Sequence, residues 1–313
     1  MKKQILAAFA ALSVIAASSC AARAADYAPV TADNYGRSVT VTAMPQRVLT
    51  LGPNCTELFI ALGLGDKIAG NTLDNHSRGP LPEYAAEYAK VPELNYGSAT
   101  REAVLTSGAD FVYGIDWEFG DGGLDIKELE ENGMNVLVER ASNFDEAYSE
   151  IRTLGKIFKI EARAEEFIKE QERRIKAVAD KLKGREPLRV LVYDSGSSGV
   201  FTCAGNNFES LLIERAGGKN IFGDLGGKQW VTVSYEEVLE RDPQVIVIHD
   251  YDSPSVEAKI TEIKANSALS QLDCVKNERF VTIALESVLP GSRMAYAVER
   301  FAAGFYPELF TDK

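Results

Sequence analysis

The chain is poor in the residues that most often carry chemistry: it has two histidines, two tryptophans and four cysteines in 313 residues. Two histidines are too few for a His-rich metal site, which argues against a free manganese or zinc ion as cargo. No C-x-x-C, H-E-x-x-H, G-x-S-x-G or phosphate-binding P-loop pattern occurs, so the familiar signatures of redox, peptidase, hydrolase and nucleotide chemistry are missing. Positive charge is also scarce, with 34 Lys and Arg against 46 Asp and Glu and a net charge of -12. So acidic a surface speaks against a nucleic-acid partner and against electrostatic adhesion to anionic lipid. No run approaches the ~20 apolar residues of a membrane-spanning helix.

What is present begins at the amino terminus. Lys2 and Lys3 precede an apolar run from Ile5 to Ala17 and then small residues, the pattern of a secretory signal peptide over residues 1–24. Two cleavage sites compete. Ala17-Ser18-Ser19-Cys20 resembles a lipobox that would place a lipid on Cys20, while Ala22-Arg23-Ala24 would release an unanchored chain. Either predicts a periplasmic or other extracytoplasmic location. Export permits a disulfide, and Cys203 with Cys274 is the one pair within a single half; two buried thiols are the alternative.

The most informative feature is an internal repeat. Arg101–Asp116 (REAVLTSGADFVYGID) and Tyr235–Asp250 (YEEVLERDPQVIVIHD) align at a constant offset, matching Glu102 with Glu236, Val104 with Val238, Leu105 with Leu239 and Asp116 with Asp250. Each copy reads as a short helix with a first-turn glutamate, then a buried strand ending in aspartate. Together with a length beyond one usual core, this predicts two similar α/β lobes facing a cleft.

The elements follow from local signals. Arg47–Leu51 reads as a buried strand, and Asn54 with Glu57 as the capping box of the next helix. The segment up to about Ala32 is expected to be mobile. Strands at Ile68–Asn71, Phe111–Gly114 and Val136–Val138 alternate with helices, which means a mostly parallel sheet over 27–142. Residues 143–184 are helical with a break near Lys159–Ile160. The second part, starting at Glu161, is a long connector with a stripe of Phe167, Ile168, Ile175, Val178 and Leu182. The alternation restarts over 187–313, with Ser234 and Glu237 boxing the helix that carries Glu236.

Four segments together resemble the helical-backbone (class III) periplasmic substrate-binding proteins of ABC importers for ferric siderophores, haem or cobalamin. They are Arg47–Gly70 (RVLTLGPNCTELFIALGLGDKIAG), the REAVL…ADFVYG copy, Leu211–Asp224 (LLIERAGGKNIFGD) and Val233–Ile248 (VSYEEVLERDPQVIVI). The resemblance implies two Rossmann-like lobes joined by one long α-helix, a non-enzymatic monomer, and a permease dimer as partner. It also implies that Glu102 and Glu236 dock onto arginines of the two permease subunits. Read alone, each is a first-turn glutamate complementing a helix dipole.

In open α/β sheets ligands meet the loops at the carboxyl ends of strands. That rule selects Asn54, His76, Arg78, Trp117 and Arg140 in the first lobe, and Trp230, His249, Tyr251 and Arg293 in the second. The tryptophans suit flat or aryl-bearing ligands and the arginines an anionic one. The expected cargo is therefore an iron chelate, a ferric siderophore first, with haem or cobalamin as alternatives. His249 or Tyr251 would serve as direct ligands of its iron, if any residue does. A ligand sensor with no transporter would carry the same features.

Overall fold

A computed structural model describes residues 27–310 except Asp121 and Ser197. The expected signal peptide and the candidate lipidation site Cys20 lie outside the described residues. The first lobe opens with a hairpin, β1 (Val30–Asn34) and β2 (Arg37–Val41), where a mobile segment was expected. The hairpin is tied down by Asn34, whose amide donates to the Val138 carbonyl at 2.9 Å and accepts from the Val138 N–H at 2.8 Å. One side chain thus imitates a ladder pair at an otherwise open sheet edge.

Then follow β3 (Val48–Leu51), α1 (Pro53–Ala61), β4 (Ile68–Thr72), α2 (Arg101–Thr106), β5 (Phe111–Ile115), α3 (Ile126–Glu131) and β6 (Asn135–Glu139). Two helices, α4 (Phe144–Phe158) and α5 (Glu161–Lys181), lead to the second lobe. That lobe comprises β7 (Leu188–Tyr193), β8 (Ser195–Gly196), β9 (Val200–Cys203), α6 (Phe208–Arg215), β10 (Gly218–Asn220) and β11 (Trp230–Val233). It continues with α7 (Tyr235–Arg241), β12 (Val245–Asp250), α8 (Val256–Ala265), β13 (Phe280–Ala284) and α9 (Met294–Phe305).

Both main sheets are parallel and share one topology. Strand order is β4-β3-β5-β6 in one lobe and β10-β7-β12-β13 in the other, so the repeat seen in sequence is a repeat of fold. Val104 and Val238, equivalent in the repeat, are both fully buried beneath their helices. Each strand of the repeat is buried along nearly its whole length, as expected where helices cover both faces of a sheet.

The break between α4 and α5 falls at Lys159, which adopts a left-handed conformation (φ 57°). The turn lets the two helices pack closely: a Cβ on Gly155 would stand 2.9 Å from that of Ala164. Ile168, Ile175 and Val178 of the expected stripe are buried on α5, joined by Ala164 and Gln171, while Phe167 is only half-buried. The stripe joins Phe59, Phe111 and Phe158 of the first lobe to Phe301 and Phe305 of the second in a continuous core. Gln171 also caps the second lobe's last helix, its carbonyl accepting from the Ala295 N–H at 2.9 Å.

One capping expectation is corrected. Helix α1 starts at Pro53 with Gly52 as its N-cap and has no side-chain cap, so Asn54 and Glu57 lie inside the helix. Both side chains are buried and reach across to the second lobe instead. Cys203 and Cys274 are separate buried thiols.

Candidate functional site

The strands of both sheets point their carboxyl ends at the space between the lobes. That space holds a chamber of about 340 Å³ lined by Leu73, His76, Trp117, Asp194, Phe201, Trp230 and Tyr251, with Ser98 and Leu285. A narrower polar strip adjoins it and shares both tryptophans, with Asp116 and Arg140 on one side and Asn207 and Gln229 on the other. Beneath the chamber, Leu73 and Ile115 pack on Leu289 of the facing lobe as a small apolar floor.

The aromatic lining has a defined order. His76 lies 6.1 Å from Trp117 and stacks at 6.1 Å on Tyr251 across the cleft. Trp230 stacks on Phe201 at 5.7 Å. Trp117 and Phe201 stay 39% and 37% exposed, which is unusual for large apolar rings and leaves faces free for a ligand. Phe201, on β9, was not among the residues singled out from the sequence. Its signal is the alternation on β9, where Val200 and Thr202 are buried and Phe201 between them is exposed.

His249 is placed differently from expectation. The parallel register pairing Ile248 with Tyr193 sets His249 beside Asp194. Its Nδ1 lies 3.0 Å from Asp194 and its Nε2 3.0 Å from Glu209, and the ring has no exposed surface. Burial by itself would lower the imidazole pKa, but the two carboxylates outweigh it and raise it to about 9. Both ring nitrogens are therefore already engaged by the protein's own carboxylates, and the ring is buried behind the chamber wall. Tyr251 is likewise engaged: its hydroxyl donates to Asp194 at 3.0 Å, and burial beside that carboxylate pushes its pKa far up, so no phenolate forms. In this structure both side chains are thus held by the protein's own carboxylates.

This triad makes stability depend on pH. His249 has a folded pKa near 9 against 6.5 unfolded, so its stabilisation is full below pH 6.5 and is lost as pH rises to 9. A His249→Leu variant leaves Glu209 buried without a counter-charge and Asp194 with only Lys259 nearby, at a cost of about 3 kcal/mol or more near pH 6. Chemical denaturation at pH 6 and pH 9.5 should show the gap between wild type and variant shrinking at the higher pH. An equal gap at both would mean that the ring is neutral.

Each of the three arginines has an acidic partner, though Arg78 and Arg140 stay exposed. Arg293 is buried; its guanidinium donates to Glu57 through Nε at 3.0 Å, to Glu286 at 3.2 Å and to the Gly79 carbonyl at 2.7 Å. Arg78 pairs with Asp250 at 3.1 Å across the cleft, and Arg140 with Asp116 at 3.8 Å on the strip. Asn54, also buried, donates to the Pro290 carbonyl at 2.9 Å. Arg293 and Asn54 thus hold the lobes together below the chamber instead of facing a ligand, a correction to their expected place. Near the mouth, Tyr96 donates to Asp252 at 2.8 Å, another contact between lobes.

Glu102 and Glu236 stand apart from the cleft. Each is exposed in the first turn of its short helix, α2 or α7, and helix caps are supplied by Thr100 and by the Ser234–Glu237 box. Neither carboxylate joins an ion pair among the described residues.

Two like lobes, one long connecting helix and an aromatic chamber between strand ends are the architecture of a substrate-binding protein. The periplasmic binding protein family matches residues 48–285. The chain belongs to that family, whose members bind substrates and are not enzymes. It is 28% identical to the uncharacterized ABC transporter substrate-binding lipoprotein YvrC of Bacillus subtilis, over 91% of this chain and 88% of that protein. It is 26% identical to a vitamin B12-binding protein of Yersinia pestis, over 65% of this chain and 69% of the other. Among solved structures, a periplasmic binding protein from Veillonella parvula superposes with a TM-score of 0.80 at 26% identity, covering 89% of this chain and 98% of that one.

Proposed function

We propose that this chain is the extracytoplasmic receptor of an ABC importer and that it carries a ferric siderophore in the inter-lobe chamber. The observation that carries this reading is the aromatic chamber itself, with Trp117 from one lobe and Trp230 from the other sharing its wall. A volume of about 340 Å³ is within the range of small-molecule sites and suits a compact chelate or one arm of a larger one. Among the described residues Arg78, Arg140 and Arg293 each face an acidic partner, so the cleft gains no net positive charge from its arginines. That argues against haem, whose propionates need cations, and against strongly anionic siderophores, and it favours the hydroxamate class.

Cobalamin is the second reading, favoured by the likeness to vitamin B12-binding proteins. A corrinoid with its nucleotide loop is much larger than the chamber and would need the Arg78–Asp250 and Tyr96–Asp252 contacts to open. For delivery, Glu102 and Glu236 offer one exposed carboxylate per lobe at equivalent positions, suited to bidentate pairing with arginines of a two-fold permease. Anchoring through Cys20 would keep the receptor at the membrane face.

The test is intrinsic fluorescence. The chain has only two tryptophans, both in the chamber wall, so a coloured ferric chelate bound there should quench more than half of the emission. Trp117→Phe and Trp230→Phe would each retain quenching of the remaining ring. Saturable binding by calorimetry with an unchanged emission spectrum would place the ligand elsewhere.

A further inference from the structure

We infer that the chamber is selective for charge and receives a cationic group of the cargo, an ammonium or its like, against Asp194. This deepens the proposed chelate-binding reading and rests on it. The motivating observation is the sign of everything that faces the space. Five rings, those of His76, Trp117, Phe201, Trp230 and Tyr251, surround one ionised side chain, the Asp194 carboxylate. Ring faces carry the negative end of a quadrupole and attract cations, an effect that grows as water is excluded.

Asp194 is built to stay charged in this wall. Its carboxylate accepts from His249 Nδ1 at 3.0 Å, Tyr251 Oη at 3.0 Å and Ser195 Oγ at 3.1 Å. These take three of roughly four acceptor positions, which leaves one for a donor inside the chamber. Hydrogen bonds from His249 and Tyr251 hold its pKa below the usual carboxylate value, although burial opposes them. The two cations near it are spent on the protein's own groups. His249 lies between Asp194 and Glu209, and Lys259 donates to the His249 carbonyl at 2.7 Å with its ammonium 3.6 Å from the centre of the Tyr251 ring. Neither lines the chamber, and His76, which does, is kept neutral because burial lowers its pKa.

An aromatic cage with one free carboxylate acceptor is the arrangement that binds alkylammonium groups, and it repels carboxylates and phenolates. The balance of charge therefore separates cargoes that share a metal and a size.

A matched pair of ligands isolates the charge. Ferrioxamine B carries a free ammonium on a pentyl arm; its N-acetyl form is the same chelate without that charge. Calorimetric titration should give at least tenfold tighter binding of the ammonium form, with a ferric tris-catecholate weaker than both. In Asp194→Asn the two ferrioxamines should bind within about twofold of each other, with thermal melting confirming a folded variant. Trp117→Leu, at an exposed position, should weaken the ammonium form more than the acetylated one without affecting the fold. Equal affinity for the two forms in the wild type, or preference for the tris-catecholate, overturns the charge inference and leaves chelate capture standing. Binding of none of the three overturns chelate capture and this inference together.

Discussion

Replacing both Glu102 and Glu236 by alanine should abolish stimulation of the partner importer's ATPase while leaving cargo affinity within about twofold. Both glutamates are exposed, are not needed as caps, and sit on helices whose packing depends on Val104 and Val238 instead. Truncation should therefore cost the fold little. Each carboxylate that forms a desolvated bidentate pair with a permease arginine is worth about 2 kcal/mol or more. Losing two together would weaken docking by roughly a thousandfold, and each single change by roughly thirtyfold. Equal effects from the two single variants would follow from the repeat, which presents the same feature from each lobe to equivalent subunits. ATPase assays in proteoliposomes with the purified receptor measure this directly. Full stimulation by the double variant, or a matching loss of cargo affinity, would show that these glutamates have another role.

The second large effect concerns the junction beneath the chamber. Arg293→Met removes the cation shared by Glu57 and Glu286, both about 1% exposed, from opposite lobes. Breaking a buried pair by removing one partner typically costs about 3–5 kcal/mol, because a charge stays buried without compensation. One Glu286 oxygen already has no partner, and burial raises the pKa of that carboxyl even with Arg293 in place. The melting temperature should fall by about 5–8 °C for a chain of this size. Pairing the change with Glu57→Leu should recover much of the loss, the signature of a coupled pair in a double-mutant cycle. Strictly additive losses would mean that the Arg293–Glu57 pair contributes nothing to holding the lobes together.

Much of this architecture was legible because it is written in periodic and repeated features. The matched segments around Glu102 and Glu236 became equivalent helix–strand units, and the glycine-free run from Glu161 became the connecting helix. The break near Lys159 was visible from loss of the apolar period. Other features depend on partners far away in sequence. The hairpin β1–β2 is ordered by Asn34 bonding to Val138, more than a hundred residues away, and no local pattern announces that contact. Asn54 and Glu57 have the spacing of a capping box, but Pro53 starts the helix early and the second lobe claims both side chains. The rule that ligands meet strand ends located the right loops, and Trp117, Trp230, His76 and Tyr251 converge there. It could not tell a residue facing the chamber from one pinned beneath it. His249 and Arg293 are of the second kind, because their neighbours Glu209, Glu57 and Glu286 come from other elements. Asp194, the charged residue of the chamber, was passed over as the end of a strand.

The central claim is that a ferric chelate without net negative charge occupies the aromatic chamber. Native mass spectrometry of the purified protein, incubated with a ferric hydroxamate, a ferric tris-catecholate, haem and cyanocobalamin together, tests it most directly. One retained adduct with the mass of the hydroxamate chelate is expected, and it should be lost when Trp117 and Trp230 are both replaced by leucine. Retention of haem or the tris-catecholate instead, or an adduct indifferent to the tryptophans, would contradict the account.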